Sequence, residues 1–139
     1  MRKIILIAIL IITTAFNSSA QEIHSITIEF HGMKSDKGFI YVALYDNETD
    51  FLKKFIKSTI VEIKDKKATA ALEDIPPGEY AISAFHDKNE NGKLDVNFFG
   101  IPKEPTGTSN NIRGFMGPPK YKKAKFELKE DRTLKIQIK

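Results

Sequence analysis

Seven short stretches in which apolar and polar residues alternate at every second position, each closed by turn-forming residues, constrain this chain more than any other feature. His24 to His31 sets Ile26, Ile28 and Phe30 on one side of the backbone and Thr27, Glu29 and His31 on the other. That period belongs to a half-buried strand. Phe39 to Tyr45 (FIYVALY) is rich enough in aromatic and β-branched residues for a central strand. Thr59 to Ile63 and Ala68 to Leu72 predict two strands forming a hairpin across Lys64 to Lys67. The prolines and glycine of Ile75-Pro76-Pro77-Gly78 set a turn before the alternation of Tyr80 to His86. Lys122 to Leu128 and Thr133 to Ile138 close the series. Asp46 to Lys57 departs from it: Asn47 or Asp50 caps a short helical turn carrying Phe51, Leu52 and Phe55 on one face. A chain of 139 residues holds one core of ordinary size. The expected fold is therefore all-β, an antiparallel two-sheet sandwich of about seven strands with one long irregular loop.

The N-terminus reads as an export signal. Met1-Arg2-Lys3 is followed by an unbroken apolar run from Ile4 to Ile12, and Ser18 and Ala20 supply the small residues of a cleavage site. The run falls short of the ~20 residues that span a bilayer. Residues 1–20 are thus expected to be removed between Ala20 and Gln21, leaving residues 21–139 as a single domain in the periplasm or outside the cell, with no membrane span. Whole, the chain carries +4; without Arg2 and Lys3, 20 basic residues face 18 acidic ones. So balanced a charge gives no reason to expect a nucleic-acid partner. The absence of cysteine excludes disulfide scaffolds, thiolate nucleophiles, Cys-ligated zinc and iron–sulfur clusters.

From Lys88 to Tyr121 no periodicity appears, and a loop of that length in a compact domain is usually functional or held by a ligand. At its start, Asp87-Lys88-Asn89-Glu90-Asn91-Gly92-Lys93-Leu94-Asp95 places oxygen-bearing side chains at every second position before a glycine. This is the first three-quarters of a calcium loop: Asp87, Asn89 and Asn91 as side-chain ligands, Gly92 for the sharp turn, the Lys93 carbonyl, and Asp95 as a ligand or water holder. Phe98 stands where an EF-hand has its bidentate Glu, and the flanks are not helical. The expectation is a weak Ca²⁺ site at Asp87, Asn89, Asn91, Lys93 and Asp95, completed by Glu104 or Asp46. A turn in which Asp and Asn bond their own backbone is the competing account.

Ile75-Pro76-Pro77-Gly78-Glu79-Tyr80-Ala81, then His86-Asp87-x-Asn89-x-Asn91-Gly92-Lys93-Leu94-Asp95, then Gly100-Ile101-Pro102-Lys103-Glu104-Pro105-x-Gly107-x-Ser109-Asn110-Asn111, and Gly117-Pro118-Pro119, closely resemble the exported bacterial domain-of-unknown-function family 2141. The resemblance spans essentially all of residues 21–139. It implies a secreted or periplasmic β-sandwich with a transthyretin-like or Ig-like outline, and it supplies no reaction. Thr106 and Thr108 stand where the family pattern tends to carry an aromatic residue.

No enzyme is expected. Ser109 with His86 and Asp87 or Asp95 lacks a nucleophile elbow. His24, His31 and His86 show no metal-ligand spacing. The alternatives are a small hydrolase-like enzyme using the long-loop cleft and a carbohydrate- or peptide-binding domain without a metal. The partner expected is an envelope or extracellular ligand, protein or glycan. Phe98, Phe99, Phe115 and Met116 beside Asn110, Asn111 and Arg113 would suit such a surface, but the expectation favoured here is that these apolar side chains plug the end of the sandwich beneath the loop.

Overall fold

A computed structural model describes residues 19–139. The export signal expected over residues 1–20 lies, except for Ser19 and Ala20, outside the described residues. The described chain forms β1 (His24–His31), β2 (Phe39–Tyr45), β3 (Lys57–Glu62), β4 (Ala68–Ile75), β5 (Gly78–Asp87), β6 (Thr106–Thr108), a 3₁₀ turn (Ser109–Asn111), α1 (Tyr121–Ala124), β7 (Phe126–Leu128) and β8 (Arg132–Gln137). One sheet has the order β4-β1-β8; the other runs β3-β2-β5-β6, with β7 also on β5. Alternation works as the sequence implies. Ile26, Ile28 and Phe30 of β1 meet Ile40, Val42 and Leu44 of β2 and Tyr80, Ile82 and Ala84 of β5 in one core between the layers. Apolar burial of this kind contributes roughly 1.5–3 kcal/mol per large side chain. The fold is the expected two-sheet β-sandwich, mostly antiparallel.

The expected hairpin of Thr59 to Leu72 is corrected. β3 pairs with β2 and β4 pairs with β1, so the two strands belong to different sheets. Only Lys64 and Lys67 bridge, and Asp36 accepts the N–H groups of Asp65 and Lys66 at the corner. Alternation states which face of a strand is buried, not which strand lies beside it. The last strand holds a second surprise, for β8 runs parallel to β1 and does not pair with β7.

Two local assignments also change. Asn47 Oδ1 accepts Asp50 N at 2.9 Å, a cap-type bond, yet Leu52 at φ 62 stops any helix. Phe51 alone is buried there, edge-on to Tyr45 and Tyr121, while Leu52 and Phe55 stay exposed. Lys122 to Lys125, expected to be strand, belongs instead to α1 and its C-cap. Tyr121 and Ala124, three apart, cover Ala81 on the outer face of the five-stranded sheet, a spacing that suits a helical turn.

Candidate metal site

Asp87 ends β5, opposite Phe39 at the start of β2. Gly38 (φ 77) makes that approach possible, because a Cβ there would fall 1.9 Å from the Asp87 carbonyl oxygen. Next to it, His86 is fully buried and its Nε2 lies 2.6 Å from Lys37 O. A carbonyl only accepts, so Nε2–H is the donor, while Nδ1 is buried with no hydrogen-bond partner. Asp87 is also fully buried. A carboxylate out of water requires hydrogen-bond donors or a cation.

The loop supplies the donors. Asp87 Oδ2 accepts Gly92 N at 2.8 Å and Oδ1 accepts Asn91 N at 3.3 Å. Asn89 Oδ1 accepts Asn91 N, and Asn91 Oδ1 accepts Lys93 N at 3.1 Å. Both amides donate to Asp95: Asn89 Nδ2 at 2.6 Å, Asn91 Nδ2 at 2.9 Å and 3.0 Å. These two amides, with Lys93 and Lys103 nearby, hold the Asp95 carboxyl below the usual carboxylate range. Gly92 at φ 76 takes the left-handed conformation that the sharp turn demands.

Asp87, Asn89, Asn91, Lys93 and Asp95 thus lie in one small loop whose Asp and Asn side chains bond its own backbone and one another. Of the two residues expected to complete it, Glu104 is present and Asp46 is not. Glu104 accepts Lys88 N at 3.2 Å through Oε1 and Asp95 N at 3.1 Å through Oε2, tying the start of the loop to its end. Asp46 follows Tyr45, which pairs with Ala81 at the far end of β2, roughly 20 Å away at ~3.3 Å per residue. Among the described residues no three His, Asp or Glu side chains converge at metal-binding distance. An ion here would draw on the two aspartates, the Asn89 and Asn91 amide oxygens and the Lys93 carbonyl. As placed, both Nδ2 groups face Asp95 and both Oδ1 atoms accept backbone N–H groups, so holding an ion would require the two amide side chains to turn.

The family model for DUF2141, described as an uncharacterized protein conserved in bacteria, matches residues 28–137. The chain belongs to the DUF2141 family. Neither a curated protein nor a solved structure gives a match. In this DUF2141 domain the Ser109-Asn110-Asn111 stretch is a fastener. β6 pairs with β5 as far as Ser83, and β7 takes up pairing at Tyr80. Into the gap, Ser109 Oγ accepts Ile82 N at 3.0 Å and donates to Ala124 O at 2.5 Å. Ser109 is fully buried, so its hydroxyl is not presented as a nucleophile. Asn110 donates to Lys123 O and Lys125 O, and Asn111 spans Lys135 O and Gln137 N on the free edge of β8. Sequence reading missed the roles of Gly38 and the two asparagines, which act on partners distant in the chain, as does Glu104, expected at the loop but not as the tie between Lys88 N and Asp95 N. The pair of adjacent asparagines was the one available signal, since both adopt positive φ.

The apolar side chains of the long loop do not plug the sandwich. Phe98, Phe99, Phe115 and Met116 are 97%, 81%, 91% and 94% exposed. The space between the sheets is already filled by Phe30, Met33, Ile63, Ile75 and Ile138. Among the described residues no helix is long and apolar enough to cross a membrane.

Proposed function

We propose that this DUF2141 protein is an exported, non-enzymatic binding or envelope-structural module whose 87–95 loop is ordered by one Ca²⁺. The observation that carries this reading is Asp87, a fully buried carboxylate at the base of an oxygen-rich loop, with no cationic side chain paired to it among the described residues. A cation supplies the missing charge and draws the Asn89, Asn91 and Asp95 oxygens together. The ion orders the loop and does no chemistry. With two carboxylates and no bidentate Glu, the dissociation constant falls in the range of extracellular modules, roughly 10⁻⁴ to 10⁻³ M. The partner is an envelope or extracellular protein or glycan. The consumed Ser109 hydroxyl weighs against the hydrolase alternative.

Calcium at ~100 times its dissociation constant stabilises the fold by about 2.7 kcal/mol, read as a rise in melting temperature. Magnesium raises it much less, because it demands a tighter octahedral shell. Asp95→Ala removes most of the calcium response. If millimolar calcium leaves both the melting temperature and the proteolysis of residues 88–121 unchanged, the self-bonded turn is the right account. Export is tested by intact mass, which should match a chain beginning at Gln21.

A further inference from the structure

Beyond the ion loop the chain forms a narrow hairpin from Asp95 to Lys103. Lys103 N donates to Asp95 O at 2.8 Å, Val96 pairs with Pro102, and Asn97 N donates to Ile101 O at 2.9 Å. At the tip stand Phe98 and Phe99, rings edge to face with centroids 5.5 Å apart, and Val96 and Ile101 are exposed behind them. Asn97 holds the tip in shape: its Oδ1 accepts Phe99 N at 2.9 Å and Ile101 N at 3.0 Å, and its carbonyl accepts Gly100 N at 2.9 Å. Three tip N–H groups are therefore satisfied within the hairpin. They can enter a water-poor medium without losing a partner. A stable protein interface needs a broad patch on each side, whereas a narrow apolar tip suits the boundary of a lipid layer.

Charge selects the kind of lipid. Lys93 and Lys103 are exposed at the base of the hairpin, close enough to Asp95 to act on its charge. Over residues 87–104, four carboxylates (Asp87, Glu90, Asp95, Glu104) face three lysines (Lys88, Lys93, Lys103), a net −1 that one dication turns to +1. The sign then matches anionic headgroups within a Debye length.

We infer that the 95–103 hairpin docks on an anionic lipid surface, with Phe98 and Phe99 entering the interface and Lys93 and Lys103 meeting the headgroups once the adjacent loop holds its ion. The dependence on loading rests on the calcium site proposed above; the apolar tip itself does not. The chain has no Trp, so Phe99→Trp provides a single fluorescent reporter at the tip.

The test is sedimentation of the protein recovered from its producing cell with phosphatidylcholine–phosphatidylglycerol vesicles and with pure phosphatidylcholine vesicles, in calcium and in chelator. Affinity from outside the hairpin is common to all variants. Partition is expected on the anionic vesicles in calcium, with a blue shift of the tryptophan emission in the Phe99→Trp protein. Phe98→Ser combined with Phe99→Ser should lower it at least tenfold, roughly the loss of both apolar anchors. Lys103→Gln should lower it about fivefold on anionic vesicles alone. No partition, equal partition on the two vesicle types, or indifference to the double Phe→Ser change overturns the inference. Recovery of a protein through Phe98 and Phe99 without vesicle partition overturns it in favour of a protein partner. Melting without vesicles separates the two proposals. A calcium-induced rise without partition removes the docking tip and keeps the ion site. Chelator-insensitive, Phe-dependent partition without that rise removes the ion site and the charge switch and keeps the tip.

Discussion

Asp87 Oδ2 accepts the backbone N–H of Gly92 at 2.8 Å, so the residue that opens the loop also holds its sharpest turn in place. Removing that acceptor deprives the loop of its hydrogen bond to a charged carboxylate. Asp87→Ala should therefore cost about 1–3 kcal/mol in urea unfolding even in chelator. Asp87→Asn keeps an acceptor oxygen, so most of the calcium-free stability should survive while the calcium response is lost. Equal calcium-free stability of Asp87→Ala and the parent protein would contradict the structural half of this account.

Ser109 stitches the gap between β6 and β7 through Ile82 N and Ala124 O. Ser109→Ala leaves both buried groups unpaired, and the expected loss is about 1–3 kcal/mol. The urea midpoint should fall with an unchanged slope, since no additional surface is exposed.

Asn111 presents its side-chain amide to the outer edge of β8, accepting from Gln137 N at 2.8 Å and donating to Lys135 O at 3.3 Å. It occupies the positions that another strand would use. Asn111→Ala opens this edge and should produce concentration-dependent self-association in analytical ultracentrifugation. A variant that stays monomeric at every concentration rules out edge protection as its role.

Burial, then the charges of Glu79 and Asp46, push the Tyr121 phenol up to about 12, and burial also raises Tyr45 and Tyr80. A raised folded pKa means that the neutral phenol is favoured in the fold. Its stabilisation is complete below the unfolded value near 10 and is lost as pH rises through about 12. Stability should hold to about pH 10 and then decline. Tyr121→Phe should flatten that decline when urea midpoints are compared on either side of the window. An unchanged alkaline slope would remove Tyr121 from the titration.

The alternating segments of β1 and β2 determined their own strands and buried faces, because a period of two leaves one set of side chains no place but the core. The 87–95 spacing likewise determined its loop, since Asx turns and a left-handed glycine act over a few residues. Strand partnership was decided only in three dimensions. Nothing local to Thr59 to Leu72 says that β3 and β4 part company at Lys64 and Lys67, or that β8 lies parallel to β1. The same holds for Glu104, whose bond to Lys88 N spans sixteen positions, and for Gly38, whose missing side chain matters only because Asp87 lies against it. Phe98 and Phe99 illustrate the limit most plainly. Hydrophobicity predicts burial, but burial also needs space, and the packed layers had already filled the space between the sheets.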